Sequence, residues 1–287
     1  MFKFSSFFLL FYLTSGCSDF GKLTFVTKLP NSLKENSGIA YYPNSKSLWF
    51  VEDNGNKDVV YKVDFEGKIT DELEVKNAKN HDWEDLAQDK KGNLYIGDFG
   101  NNANDRKNLV IYKLPNPTTE AGDKIDAQKI TFTYPEQKDF PPGRQNLIFD
   151  AEAFFHYGSH LFIIIKNRAN PFTGEASIYR VPDVPGNYEA ELLGKIKTCT
   201  DWDTCQITSA DISPDGKTIV LLGYGKLWKL SNYTAEDFSK VTIQEIDLGI
   251  RSQLESLCFK NDTTLLLSDE EKDNEGRNLY SFSLKSK

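Results

Sequence analysis

The sequence predicts an all-β protein built from repeated units, and three observations support this prediction. Runs of β-branched and aromatic residues recur along the whole chain, separated by Gly, Asn, Asp and Pro. No apolar stripe with a 3.6-residue period extends beyond about two turns, so helices are not expected. Segments of the chain also align with one another, and each aligned segment begins with a similar short pattern.

The first residues predict a signal peptide that is absent from the folded domain. Residues 1–3 form a short basic start, and the apolar run over 7–13 is too short to span a bilayer. Thr14, Ser15 and Gly16 then precede Cys17, which resembles the cleavage box of bacterial lipoproteins. The resemblance implies removal of the segment before Cys17, lipidation of Cys17 and an acyl anchor in the cell envelope, at the outer membrane. The alternative is an ordinary signal peptide followed by a chance cysteine.

The repeats follow this segment. The first strands of the five repeats read ENSGIAYYP, DWEDLAQD, DAEAFFHY, QITSADISPDG and QLESLCFKND. Four repeats contain four strand-like runs each, but the fifth contains three. The otherwise unassigned stretch 22–29 (KLTFVTKL) would supply the missing strand and close a ring. The sequence therefore predicts a five-bladed β-propeller, closed by an N-terminal strand and forming a single domain over residues 20–287.

Two other architectures are compatible with an all-β chain. A six-bladed propeller would need a further repeat, and the longest gaps, at 115–147 and 184–205, offer at most one strand each. Two unrelated β-sandwiches would not produce aligned motifs. The five-bladed ring is therefore preferred.

One aligned position carries a side-chain oxygen in every repeat, at Ser37, Glu84, Glu152, Thr208 and Glu255. The first strand of each propeller blade lines the central channel, so these side chains should converge on the axis. Three bare carboxylates about 6 Å apart repel by roughly 3 kcal/mol per pair at an effective dielectric near 20. Calcium, which takes about 6–8 oxygen ligands in irregular geometry, would relieve this repulsion.

Other readings of this ring remain open. Magnesium demands a stricter octahedron than calcium, and zinc prefers His or Cys, whereas the three histidines of the chain have no metal-ligand spacing. The alternative without a metal is a set of polar groups that bond neighbouring backbone amides or channel water.

A second register predicts functional groups at the channel mouth, near the ends of the second strands. It contains Asp53, Asp98, Lys166, Tyr224 and Asp269. Around it lie Asn54, Asn101, Arg106, Arg168 and Glu270. Asp53, Asp98 and Lys166 are candidate catalytic groups, and the remaining residues are candidate ligand-binding groups. A plain solvated rim is the alternative, because loops that end strands are polar in any case.

These motifs resemble two groups of known proteins. The ring resembles that of the calcium-activated nucleotidases (apyrases), five-bladed propellers whose central calcium is held by serines and glutamates from successive blades. This resemblance implies calcium ligands at Ser37, Glu84, Glu152, Thr208 and Glu255, with Thr208 in place of a serine; only the ring is carried over. The motifs SGIA, DWEDLA, GDFGNN and DAEAF are similar to bacterial propellers grouped as SdiA-regulated or phytase-esterase-like, a resemblance that covers nearly all of the mature chain.

Two functions compete, and neither involves nucleic acid, because the net charge is −8 and no basic cluster is present. The first is a monomeric, membrane-anchored propeller that binds calcium and a small molecule or protein at its mouth. The chain has no Gly-x-Ser-x-Gly elbow and no phosphate loop, which favours binding without chemistry. The second is a calcium-dependent hydrolase of phosphate or carboxylic esters. Under either function the metal could also tie the blades together.

The cysteines add one structural expectation. Cys199 and Cys205 flank the short polar loop TDWDT. In an exported protein such a pair is expected to form a disulfide that closes the loop.

Overall fold

The computed structural model describes residues 19–238 and 240–285. The predicted signal peptide and Cys17 lie outside these residues. Within them the only helices are two 3₁₀ turns, Pro117–Thr119 and Arg144–Asn146. None of the described helices has the length and apolar character needed to cross a bilayer. The all-β prediction is confirmed.

The strands form five sheets, and the four strands that make up the blade in each sheet are antiparallel. Blade 1 contains β2 (Asn36–Tyr42), β3 (Ser47–Glu52), β4 (Val59–Val63) and β5 (Ile69–Lys76). Blade 2 contains β6 (Trp83–Gln88), β7 (Leu94–Asp98), β8 (Leu109–Leu114) and β10 (Gln128–Thr133). Blade 3 contains β11 (Asp150–Tyr157), β12 (His160–Lys166), β13 (Glu175–Pro182) and β15 (Glu191–Lys197). Blade 4 contains β16 (Ser209–Ile212), β17 (Ile219–Gly223), β18 (Lys226–Ser231) and β19 (Thr242–Asp247).

Blade 5 contains strands from both ends of the described chain. It consists of β20 (Leu254–Asn261), β21 (Thr264–Asp269), β22 (Asn278–Ser283) and β1 (Thr24–Lys28). Strand β1 pairs antiparallel with β22, with Thr24 opposite Ser281. The first strands β2, β6, β11, β16 and β20 contact one another in cyclic order around the axis. The predicted five-bladed propeller with its N-terminal closing strand is confirmed.

Hydrophobic side chains fill the junctions between neighbouring blades. Five clusters of buried residues occur, one at each junction of the ring. Trp49 and Trp83 lie at the junction of blades 1 and 2, and Trp228 lies at the junction of blades 3 and 4. Second strands such as β17 are buried along their whole length because both of their faces pack against other blades. Each large apolar side chain buried in this way contributes about 1.5–3 kcal/mol.

Two short strands leave their own blade and extend the preceding one. Strand β9 (Lys124–Asp126), which precedes β10, pairs in parallel with β5 of blade 1. Strand β14 (Gly186–Glu189), which precedes β15, pairs in parallel with β10 of blade 2. The sequence predicted neither pairing. Each pairing covers an outer edge that would otherwise expose unpaired backbone groups.

Candidate metal and ligand site at the channel mouth

A β-bulge positions the predicted ring residues. In blades 1, 2, 3 and 5 the pairing of the first two strands skips one residue, and the skipped residues are Ser37, Glu84, Glu152 and Glu255. In blade 4, Thr208 lies directly before β16, and its N–H donates to the carbonyl of Leu222 at 2.9 Å. A bulge bends its strand and re-aims one side chain, and bulges are enriched beside functional sites. The same backbone irregularity is therefore repeated around the axis.

The two hydroxyl members of the ring bond to the backbone of the next blade. The Ser37 hydroxyl donates to the carbonyl of Trp83 at 2.8 Å. The Thr208 hydroxyl donates to the carbonyl of Leu254 at 2.6 Å. Both side chains are buried. They link blade 1 to blade 2 and blade 4 to blade 5, and each hydroxyl oxygen keeps its lone pairs.

An acidic cluster surrounds Glu84. Carboxylate oxygens of Asp53, Asp82 and Glu84 all lie within 4.8 Å of one another. Burial raises the pKa of Glu84 well above its usual range, and the nearby carboxylates of Glu152, Asp53 and Asp82 raise it further. Burial also raises the pKa of Asp53, to about 7. At an effective dielectric near 20, two charges this close repel by about 3.5 kcal/mol, so the cluster must hold protons or a cation.

Gly100 makes room for this acidic cluster. A Cβ at position 100 would lie 1.9 Å from Oε1 of Glu84 and 2.5 Å from Oδ2 of Asp82. Any side chain there would push both carboxylates away. The glycine of the GDFGNN motif therefore has a steric role at the acidic cluster.

The third ring member, Glu152, is neutralised by two cations. Its Oε1 lies 3.0 Å from Nζ of Lys166 and 2.8 Å from Nη2 of Arg168. Arg168 also forms an ion pair with Asp150. Burial raises the pKa of Glu152, but the two cations lower it by more, and the net shift is downward. Burial lowers the pKa of Lys166, yet the Glu152 and Glu255 carboxylates raise it well above its usual range.

The last ring member, Glu255, lies beside Tyr224 and Lys166. Burial raises the pKa of Glu255 to about 7, with opposing effects from Lys166 and Glu152. The ammonium of Lys166 donates to the hydroxyl of Tyr224 at 3.1 Å. Burial and the Glu255 carboxylate raise the pKa of Glu270 to about 9, so this side chain is neutral at pH 7.

The other predicted mouth residues fall into two groups. Asn54 bonds the carboxylate of Asp82, and Asn101 donates its N–H to Asp150 at 2.6 Å, so both support acids at the axis. Asp98 and Asp269 instead turn into their own blades. Asp98 pairs with Arg106 at 2.8 Å, and Asp269 accepts bonds from Ser252, Asn278 and Tyr280.

Sequence reasoning missed a buried aspartate one residue beyond the ring. Asp85 is fully buried and accepts four hydrogen bonds from three blades. They come from the N–H of Leu86 (2.9 Å), the N–H of Phe154 (3.3 Å), the N–H of Ala210 (3.3 Å) and the hydroxyl of Ser209 (3.1 Å). Burial raises the pKa of Asp85 well above its usual range. Ser209 in turn accepts the N–H of Leu257 in blade 5 at 3.1 Å.

Small residues make this contact possible. The positions that follow the ring members in the other blades are Gly38, Ala153, Ser209 and Ser256, and all are buried. A Cβ at Gly38 would lie 2.7 Å from the backbone nitrogen of Leu86. The first strands thus approach closely below the ring, and Asp85 fills the space that the small residues leave.

A cleft opens beside the ring between blades 4 and 5. It has a volume of about 470 Å³, and Tyr224, Glu270 and Gln206 contribute to its wall. At its edge, Cys199 and Cys205 are joined by a disulfide with their Cα atoms 5.4 Å apart. The loop that they close carries Trp202, which is 43% exposed.

Comparison with known proteins supports the fold alone. No family model matches the chain, and no curated protein matches it. A solved structure of PQQ-bound aldose sugar dehydrogenase from Streptomyces coelicolor is similar, with a TM-score of 0.50 and 10% identity over 91% of this chain and 98% of that one. The WD40 repeats of RRP9 give a TM-score of 0.45 and 8% identity over 92% of this chain and 100% of that one. The Dos1 propeller gives 0.41 and 13% identity over 88% of this chain and 58% of that one.

Proposed function

We propose that this propeller binds a hard divalent cation, calcium, at the channel mouth and a ligand or protein partner beside it. Asp53, Asp82 and Glu84 supply the carboxylate ligands. Glu255, Ser37 and Thr208, which hold the matching position in their own blades, would complete the ligand set. As a lipid-anchored protein of the bacterial envelope, the chain would present this mouth at a membrane surface. The ring of the calcium-activated nucleotidases, which the sequence resembles, is consistent with the proposal.

The clustering of Asp53, Asp82 and Glu84 is the observation that carries the proposal. Three carboxylates with oxygens within 4.8 Å of one another match the hard oxygen donors that calcium prefers. Glu152 differs from these acids because Lys166 and Arg168 pair with it at 3.0 and 2.8 Å, whereas Arg106 approaches Asp82 only to 3.9 Å. We therefore assign the cation to the Glu84 side of the ring rather than to its centre.

The Glu84→Gln variant tests whether Glu84 is a cation ligand or has only a structural role. The substitution removes one ligand, so we expect calcium affinity to fall at least about tenfold. It also removes a buried carboxyl that ionises more readily in the unfolded chain than in the folded protein, so the Tm of the calcium-free protein at pH 7 should rise. Metal analysis, calcium titration calorimetry and melts with calcium or EGTA measure both effects.

The matched control is Glu66→Gln, which removes an exposed carboxylate from the turn between β4 and β5. It should change neither calcium affinity nor Tm. Wild-type protein that binds no calcium, or Glu84→Gln protein that binds it unchanged, would contradict the proposal.

A calcium-dependent ester hydrolase is the second candidate function. It is favoured by Lys166 and Arg168, which lie on blade 3, next to the blade that carries Asp82 and Glu84, and could bind a developing negative charge. Asp53 would then serve as the base. Asp98 is less suited to this role because its carboxylate is already ion-paired with Arg106.

Under this second function, Lys166→Met should lower kcat about 100-fold with little effect on KM. Turnover of bis(p-nitrophenyl) phosphate and p-nitrophenyl acetate with calcium present provides the assay. Lys195→Met is the control, because Lys195 forms only an exposed pair with Glu175. Equal turnover by the wild type and Lys166→Met would remove Lys166 from the mechanism, and no turnover by the wild type of either ester would count against hydrolysis.

A further inference from the structure

The cleft between blades 4 and 5 has the dimensions of a small-molecule site. Its volume of about 470 Å³ lies within the usual range for such sites, about 300–1,000 Å³. One side is the disulfide-closed loop with Trp202, and the opposite side comes from the segments that flank blade 5. The cleft adjoins the ring through Tyr224 and Glu270.

Trp202 is held as a fixed aromatic platform at the edge of this cleft. The Cys199–Cys205 disulfide closes its loop. Phe172 packs edge-to-face against its ring, with centroids 5.4 Å apart. Asp201 of the same loop lies 3.7 Å from Arg251, a residue of the cleft wall. Trp202 thus keeps its exposed surface without the conformational freedom that a ligand would otherwise have to remove.

A second, independent feature points to a ligand. Gln206 lines the cleft and is 6% exposed, and within the described residues its Nε2 has no hydrogen-bond partner. A buried amide donor without a partner costs about 1–3 kcal/mol. A ligand acceptor in the cleft would satisfy it.

The rest of the wall combines uncharged polar groups with charged groups of both signs. Gln253 and Ser252 add amide and hydroxyl groups to the wall. The ionisable residues of the wall are the acids Asp203, Glu270, Asp273 and Glu275 and the bases Arg251 and Lys272. Acids outnumber bases among them, so an anion would be repelled. A neutral ligand that combines hydroxyl groups with an apolar face matches this wall.

We propose that this cleft binds a neutral saccharide whose ring stacks on Trp202 while its hydroxyl groups bond Gln206 and Gln253. The inference rests on the ligand-binding part of the proposed function and names the ligand class. It does not require the cation.

Tryptophan fluorescence gives a local measurement of this binding. The chain has four tryptophans, and the other three, Trp49, Trp83 and Trp228, are fully buried. Titration with maltotriose, cellotriose and chitotriose should therefore change the emission of Trp202 for at least one sugar, and calorimetry then gives its Kd. Trp202→Ala should weaken binding of that sugar at least about tenfold, whereas Trp202→Phe should retain most of it.

Gln206→Leu is the second variant, since it removes no hydrogen bond of its side-chain nitrogen within the protein. It should fold as well as the wild type and bind the sugar roughly tenfold more weakly. Phe140→Ala is the control, because Phe140 is 36% exposed but lies outside the cleft. It should leave sugar affinity unchanged.

Several outcomes would overturn the inference. They are no binding of any of the three sugars, sugar binding that Trp202→Ala leaves intact, and binding of choline, the cation that an exposed tryptophan could hold, in place of a sugar. Each titration is run with calcium and with EGTA. Sugar binding without calcium binding would refute the cation alone, and calcium binding without sugar binding would refute the saccharide alone.

Discussion

Asp85→Ala should destabilise the protein by at least about 4 kcal/mol. The substitution leaves four buried donors without an acceptor, and each unsatisfied donor costs about 1–3 kcal/mol. These donors belong to blades 2, 3 and 4, and Ser209 extends the connection to Leu257 in blade 5. Gly38 of blade 1 packs on the backbone of the same residue. Guanidinium unfolding of wild type and variant gives the difference in free energy of unfolding.

Two milder variants test the same network if Asp85→Ala does not fold. Asp85→Asn keeps one acceptor oxygen and should give a loss between those of the wild type and Asp85→Ala. Ser209→Ala removes one donor and leaves the N–H of Leu257 unpaired, and should cost about 1–3 kcal/mol. Losses below about 1 kcal/mol in both variants would show that Asp85 does not tie the blades together.

The second large effect is a pH-dependent stabilisation by calcium. Burial raises the folded-state pKa of Asp53, Asp150 and Glu255 to about 7, whereas carboxyl groups of an unfolded chain titrate near pH 4. The calcium-free folded protein therefore binds more protons than the unfolded chain in this window. The contribution of these groups to the free energy of unfolding should be largest below about pH 4 and should fall as pH rises toward 7. The fall is about 1.4 kcal/mol per pH unit for each extra proton that the folded protein binds.

Calcium binds the ionised carboxylates, so the stability that calcium adds should increase as pH rises. At pH 5 the protons compete with it, and the added stability should be small. At pH 8 a 100-fold excess over Kd should add about 2.7 kcal/mol. Urea unfolding of desalted protein at pH 5, 6, 7 and 8, with and without calcium, measures both trends.

Glu84→Gln is the control for the pH experiment. In this variant, calcium should add less to the free energy of unfolding at every pH. Glu152 should not contribute to the trend, since Lys166 and Arg168 lower its pKa. An increment that is equal at pH 5 and pH 8 would exclude the acidic cluster as the cation site.

The sequence was sufficient to predict the architecture of this protein because the repeats encode it directly. The aligned first strands predicted five blades, and the leftover stretch KLTFVTKL predicted the closing strand. The positions of the ring residues also followed from the alignment. The partners of those residues did not, because they depend on which groups of neighbouring blades come within bonding distance, as the Trp83 carbonyl of blade 2 does for Ser37 of blade 1.

The alternation of a regular strand does not predict the position of Asp85. A regular strand would place Glu84 and Leu86 on one face and Asp85 on the other. The bulge at Glu84 breaks that alternation, so Asp85 lies in the space between blades and Leu86 joins the hydrophobic junction with blade 1. A bulge leaves no mark in the pattern of apolar residues. The signal in the sequence was that this aligned position holds an acid in the second repeat and a small residue in each of the other four.

The closing strand has a consequence for how the chain folds. Strand β1 lies near one end of the described chain, and its only sheet partner, β22, lies near the other. Blade 5 therefore cannot be completed until almost all of the chain is present, and such long-range pairing is slow. Until β22 pairs with it, both backbone edges of β1 are unpaired. Its apolar residues Phe25 and Val26 favour aggregation during that time. Lys22 and Lys28 flank that short run and would discourage other chains from pairing with it before β22 arrives.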